Sequence, residues 1–210
     1  MALLQIALDF LRLDKALKVA AETHFFTDII EVGTPLIKSE GMKAVETFRK
    51  NFQEKQILAD LKIMDAGALE AKMAFDAGAD MITVCALASM ETIAGAIEET
   101  RRWNRKVVID LIGSRDWLLK TKELKHLSPD FFCIHTGLDE QTKGKKTFGR
   151  LEDFVREVNR PYCIAGGIKP EDIPFIMPFE PSIIIVGGYI TQAENPEKAA
   201  KTIKEAMSSR

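Results

Sequence analysis

The chain has 210 residues, 46% of them hydrophobic and 29% charged, with a formal net charge of −2. That is the balance of a globular domain large enough to bury a core, and the absence of a basic, aromatic-interleaved stripe speaks against a nucleic-acid partner. No apolar run approaches the ~18 residues of a membrane-spanning helix, and the opening MALLQIALDF lacks the basic start of a secretory leader and carries Asp9, so the expected location is the cytoplasm.

The predicted elements alternate along the chain. Strand 3–8 precedes helix 14–23, strand 28–32 helix 41–52, strand 56–61 helix 67–78, and strand 81–84 helix 89–103. Strand 107–112 then precedes helix 115–127, strand 131–135 helix 150–160, strand 162–166 a weak helix 169–177 limited by Pro174 and Pro178, and strand 183–187 helix 195–207. Asn195 followed by Pro196 reads as an N-cap with proline in the first turn, and Gly78 as a helix-ending glycine. Eight β/α units imply a parallel sheet closed into a (β/α)8 TIM barrel, a compact single domain over 1–210. A doubly wound open sheet is the alternative. It would carry a glycine-rich phosphate fingerprint after its first strand, where this chain reads ALDFLRLD. Cys85, Cys133 and Cys163 lie beside strand ends with no CxxC pair, and read as inert buried thiols in a reducing compartment.

In such a barrel, chemistry gathers at the C-terminal strand ends. Those ends carry Asp9, Glu31, Asp60 with Lys62, Asp110, His135, Gly166-Gly167 and Gly187-Gly188. Any one of Asp9, Glu31 and Asp110 alone reads first as a cap or turn residue, Glu31 least so, since it lies two residues before the turn glycine of IIEVGTP and is expected to point into the barrel mouth. Asp60 and Lys62 are two apart on a strand and share a face, so an acid and an amine meet where burial is costly unless they pair. Asp65 follows in the loop that opens the next helix. The two glycine pairs follow strands seven and eight, where barrels bind phosphate through backbone N–H groups. His135 suits proton transfer, whereas His24 and His126 read as surface residues and the basic run KGKK at 143–146 as a solvated loop. No His/Cys cluster suits zinc. Glu31 and Asp60, on adjacent strands, suit a Mg²⁺ that keeps waters and takes further oxygens from substrate.

The motif Asp60-Leu61-Lys62-Ile63-Met64-Asp65 resembles the D-x-K-x-x-D hallmark of the orotidine 5'-monophosphate decarboxylase suprafamily. ALDF, IIEVGTPLIKSEG, ADLKIMDAG and FDAGADMITV resemble the branch that holds 3-hexulose-6-phosphate synthases and 3-keto-L-gulonate-6-phosphate decarboxylases, and the likeness runs from Gln5 to the last helix. Leu138 stands where the decarboxylases have arginine, and Gly188 where they tend to have Gly-Arg, so both positions resemble the synthase pattern. The resemblance implies a homodimer in which Asp65 reaches the partner's site. It also implies a Mg²⁺-dependent, reversible aldol addition of D-ribulose 5-phosphate to formaldehyde through a 1,2-enediolate. The roles implied are Lys62, His135, Asp65, Asp60 and Asp9 in catalysis, Gly166, Gly167, Gly187 and Gly188 on the phosphate, and Glu31 with Asp60 on the metal. The sister decarboxylase and a non-catalytic sugar-phosphate-binding barrel are the alternatives. A ribulose-phosphate epimerase, whose metal site is rich in histidine, fits less well.

Overall fold

The structure, a computed structural model, describes residues 2–143, 151–158 and 161–208. Its strands β1 (Leu3–Leu8), β2 (Ile29–Val32), β3 (Gln56–Ile63), β4 (Met81–Cys85), β5 (Lys106–Asp110), β6 (Phe131–His135), β7 (Tyr162–Ala165) and β8 (Ile183–Val186) pair in chain order, all parallel, into a closed barrel. The helices are α1 (Leu13–Thr23), α2 (Thr34–Glu40), α3 (Lys43–Asn51), α4 (Gly67–Asp76), α5 (Met90–Arg102), α6 (Trp117–Leu124), α7 (Leu138–Gln141), α8 (Leu151–Val158), α9 (Ile173–Ile176), α10 (Gly188–Thr191) and α11 (Pro196–Ser208). No helix among the described residues is long and apolar enough to cross a membrane.

Several helix starts follow from their caps. Ser89 Oγ accepts from Thr92 N at 3.1 Å, Asp116 Oδ1 from Leu118 N at 3.0 Å, and Asn195 Oδ1 from Lys198 N at 2.8 Å. The region predicted as one helix over 41–52 holds α3 alone, and α2 precedes it, with Pro35 in its first turn and Gly41 (φ 69°) at its end. The weak seventh helix is one short α-turn between two 3₁₀ turns, Pro170–Asp172 and Met177–Phe179. The run KGKK lies outside the described residues from position 144 onward, and the ends of the helix predicted over 150–160 do so too.

Each strand turns alternate residues to the helices and to the barrel axis. Leu4, Ile6, Ile30, Ile57, Ile82, Ile109, Phe132 and Ile164 join the helices in the main core. At the N-terminal end, three aspartates one residue before even-numbered strands clasp odd-numbered neighbours. Asp28 accepts from Leu4 N at 2.8 Å, Asp80 from Ile57 N at 2.9 Å and Asp130 from Val107 N at 3.0 Å. Asp80 also carries ion pairs to Arg49 and Arg105. These carboxylates secure the bottom of the barrel and leave the top for other work.

Candidate active site

The interior faces are stacked in layers. Ile29, Leu58, Met81, Val108 and Cys133 form an apolar floor with Cys163 and Ile183. Two residues further along five strands, the same face presents Glu31, Asp60, Thr83, Asp110 and His135, and these line a cavity of ≈ 420 Å³ with Gln5 and Ala7 of β1. The strand period of two thus turns an apolar plug into a polar ring.

Lys62 is the hub of that ring. Its Nζ lies 2.5 Å from Asp60 Oδ2 and 3.6 Å from Asp110 Oδ2. Asp60 is only 2% exposed, and Thr34 and Thr83 each donate to it at 2.7 Å. Thr83 Oγ1 also accepts from the Lys62 backbone N at 2.9 Å. That contact holds an unusual backbone, for Lys62 has φ 48° and the pairing of β3 with β4 shifts between Ala59 and Ile63. The expected meeting of Asp60 and Lys62 is therefore achieved, but across a strand irregularity and not along a regular pleat. Asp110 Oδ2 continues the chain to His135 Nδ1 at 2.9 Å. A carboxylate on Nδ1 places the proton there and presents Nε2 as the acceptor.

Electrostatics follow from this crowding. Burial works against the Lys62 charge, yet Asp60, Asp110 and Glu31 outweigh it and hold the ammonium well above its ordinary value. Asp60, despite burial, is lowered by Lys62 and by the donors around it. Glu31 is pushed well above the usual carboxylate range, first by burial and then by the charge of Asp60. Asp9, at the rim, is raised by partial burial and again by Asp60. It packs against Gly33, where a Cβ would collide with its carboxylate and with the Leu8 carbonyl. All three cysteines are free and buried, and burial raises the thiol of Cys85 to about 11.

Within the ring the Lys62 ammonium faces the carboxyl groups of Asp9, Glu31, Asp60 and Asp110, a set that a divalent cation would help to balance. Glu31 and Asp60 fit that role: both face the cavity from adjacent strands, and Gln5 Oε1 beside Glu31 is buried with no partner among the described residues. Among the described residues no three His, Cys, Asp or Glu side chains converge as a complete metal cage. The donor set accordingly suits an ion that keeps waters and takes substrate oxygens, as Mg²⁺ does.

Gly166, Gly167, Gly187 and Gly188 line the same cavity, with Lys169, Tyr189 and Gln192 beside them. The first pair has φ of 114° and 65°, and a Cβ on Gly166 would stand 2.6 Å from the Thr136 carbonyl, so backbone geometry alone demands glycine there. The second pair is different. A Cβ on Gly188 would meet nothing among the described residues closer than Gln192 at 3.5 Å, an ordinary contact that leaves room for a methyl. Asp65 is not brought to the cavity of its own chain; it is exposed and accepts from Ala66 N at 2.8 Å. Asp110 was visible in the sequence only as one strand end among several, and Thr34, Thr83, Gln5 and Gln141 gave no charged signal. Counting two residues on from each interior apolar residue would have reached Thr83 and Asp110.

Comparison with known proteins agrees with this geometry. The family model described as Orotidine 5'-phosphate decarboxylase / HUMPS family matches residues 2–203. A 3-hexulose-6-phosphate synthase of Bacillus subtilis (strain 168) is 39% identical over 205 residues, covering 97% of this chain and 98% of that protein. A crystal structure of a 3-hexulose-6-phosphate synthase superposes with a TM-score of 0.94 at 40% identity, covering 98% of this chain and 99% of the other. A more distant neighbour, 3-keto-L-gulonate-6-phosphate decarboxylase from Vibrio cholerae, gives a TM-score of 0.88 at 32% identity, covering 99% of this chain and 97% of the other. The chain belongs to the orotidine 5'-phosphate decarboxylase / HUMPS family.

Proposed function

We propose that this barrel is an aldehyde-lyase that joins D-ribulose 5-phosphate to formaldehyde, reversibly, to give D-arabino-3-hexulose 6-phosphate. The reading takes residues 1–210 as one barrel domain. The observation that carries it is the unbroken chain Asp60–Lys62–Asp110–His135 above an apolar floor. It sets a fixed cation beside a histidine whose Nδ1 is already engaged. Aldol chemistry at a ketose phosphate requires removal of a C1 proton, and charge then develops on the enediolate oxygens. His135 Nε2 is the group placed to move that proton, a role worth about 10²–10⁴ in rate. The Lys62 ammonium is a preorganised donor to the developing oxyanion, worth about 3–4 kcal/mol. Held protonated, Lys62 is a poor amine nucleophile, so no Schiff base is formed. The glycine pairs anchor the 5-phosphate, whose binding energy positions the reacting end. Asp9 holds a substrate hydroxyl or Lys62. Glu31 and Asp60 would hold Mg²⁺, which supplies Lewis-acid stabilisation of negative charge on oxygen.

The assay is direct: ribulose 5-phosphate and formaldehyde with the folded protein, with and without Mg²⁺. Mg²⁺-dependent disappearance of formaldehyde is expected, and no turnover with metal present refutes the reading. Decarboxylation of 3-keto-L-gulonate 6-phosphate is the second reading. Leu138, exposed on the cavity rim, speaks against it, since it offers no charge to a leaving carboxylate. A non-catalytic sugar-phosphate-binding barrel would have no use for the buried Lys62 and His135, so Lys62→Met would leave its function intact.

The reading extends to a homodimer in a reducing cytoplasm. Met64, Leu69, Met73, Leu87 and Met90 are exposed around α4 and the start of α5, an apolar face beside the outward-turned Asp65. A second copy seated there would bring Asp65 to the partner's cavity to orient Lys62 or substrate hydroxyls. Leu69→Glu with Met73→Glu should convert a sedimenting dimer to monomers with loss of activity; wild type sedimenting as a monomer overturns it. The free, buried thiols support the compartment.

A further inference from the structure

We infer that Gln5 is a positioning residue for the divalent cation, acting through Glu31. This rests on the reading that Glu31 and Asp60 hold that cation. Gln5 is 1% exposed, in the interior of β1, and its backbone neighbours in register are Ile29 and Ile185. An amide there must find partners for both ends, because a buried polar group without one is costly.

Only one end is satisfied among the described residues. Gln5 Nε2 donates to Glu31 Oε2 at 2.5 Å, while Gln5 Oε1 is buried and has no partner among them. The amide turns its NH₂ toward Glu31 and leaves Glu31 Oε2 as the acceptor, the role a carboxylate oxygen keeps when it faces a cation. The bond fixes one Glu31 oxygen. It leaves the other carboxylate oxygen to the cavity, and it leaves the amide oxygen as an acceptor for a donor from outside the described residues, such as a water of a cation's shell. Gln5 therefore orients the carboxylate for a cation. Partners of metal ligands of this kind typically change metal affinity about 10–100-fold when removed.

The test uses Mn²⁺ as the probe, with metal-free full-length protein and no substrate. Free Mn²⁺ is followed by electron paramagnetic resonance for wild type, Gln5→Leu and Gln5→Met. Both variants keep the apolar volume and delete the amide, including its unpaired oxygen. Native circular dichroism with a melting temperature no lower than wild type is expected, together with Mn²⁺ affinity about 10–100-fold weaker. In turnover, the concentration of Mg²⁺ needed for half activity should rise by a similar factor while kcat at saturating Mg²⁺ moves less. Unchanged Mn²⁺ affinity in either folded variant overturns the proposal. Loss of the native fold in both variants also overturns it, making Gln5 a structural residue. If wild type itself takes up no Mn²⁺, the metal assignment to Glu31 and Asp60 falls with it, whereas tight binding by wild type and variants alike sinks the Gln5 role alone.

Discussion

Replacing Lys62 by methionine keeps the length of the side chain and deletes its charge. In the folded protein that charge lies 2.5 Å from Asp60 Oδ2 and 3.6 Å from Asp110 Oδ2. At an effective dielectric near 20, these attractions are worth about 6–7 and 4–5 kcal/mol before desolvation. Burial costs several kcal/mol per ion, and truncating one member of such a cluster typically destabilises by about 3–5 kcal/mol, because its partners stay buried and unpaired. The left-handed backbone at position 62 is common to both proteins, so its strain cancels. The loss depends on pH. Asp60 is lowered in the folded state, and a lowered carboxyl contributes stability above its unfolded pKa of about 3.9, lost as pH falls through the folded value. Without Lys62, burial dominates and Asp60 moves up, so the variant's deficit is largest at neutral pH and shrinks under acid. Urea unfolding of metal-free wild type and Lys62→Met at pH 7.5 and pH 5 should show a gap of about 3–5 kcal/mol at the higher pH and a smaller one at the lower. Equal stability at pH 7.5 would refute the argument that the buried acids depend on Lys62. Formaldehyde consumption by the variant should fall by at least about 10²–10³.

Asp110→Asn leaves the shape of the ring but removes the anion that faces both Lys62 and His135 Nδ1. Steady-state kinetics should show kcat reduced about 10²–10⁴ with little change in KM for the sugar phosphate. Glu31→Gln tests the charge imbalance. A carboxyl raised in the folded state favours folding only below its unfolded pKa of about 4.3 and destabilises as pH rises toward its folded value. Metal-free Glu31→Gln should therefore melt above wild type at pH 7.5, converge with it near pH 4, and no longer gain stability from added Mg²⁺. The glycine pairs should divide in behaviour. Gly166→Ala, strained at φ 114° against Thr136, should lose more than about 1 kcal/mol in denaturant unfolding. Gly188→Ala should unfold like wild type yet raise KM for the phosphorylated substrate, because its methyl enters space open to a ligand and not to protein.

The eight strands are legible in the sequence because buried parallel strands read as apolar runs, and the residues at their ends point to the cavity for the same reason. Short helices are not legible. α2 has 7 residues and α7 and α10 have 4 each, too few for a helical period to show. The pairing of Asp110 with His135 depends on how β5 and β6 are staggered when the barrel closes: Asp110 lies opposite Cys133, two residues short of the histidine. Nothing in either strand alone states that offset. Thr34 and Thr83 escape notice because a hydroxyl between apolar residues looks like ordinary strand composition, and only the assembled ring shows that Thr83 binds both Asp60 and the backbone of Lys62. The rule that residues two apart share a face reached the Asp60–Lys62 pair by a regular pleat that β3 does not have.

The apolar floor closes the cavity beneath the polar ring, on the side of Ile29, Leu58 and Cys133. Under the proposed reading, in which the glycine pairs on the rim hold the phosphate, the sugar would be the stopper of its own vessel. The order of arrival is then part of the selectivity. Whatever joins the sugar must be seated before it or slip past it, and a one-carbon aldehyde is among the few electrophiles small enough to do so. Choice of the second substrate thus needs no dedicated pocket: the first substrate, once bound, is the filter.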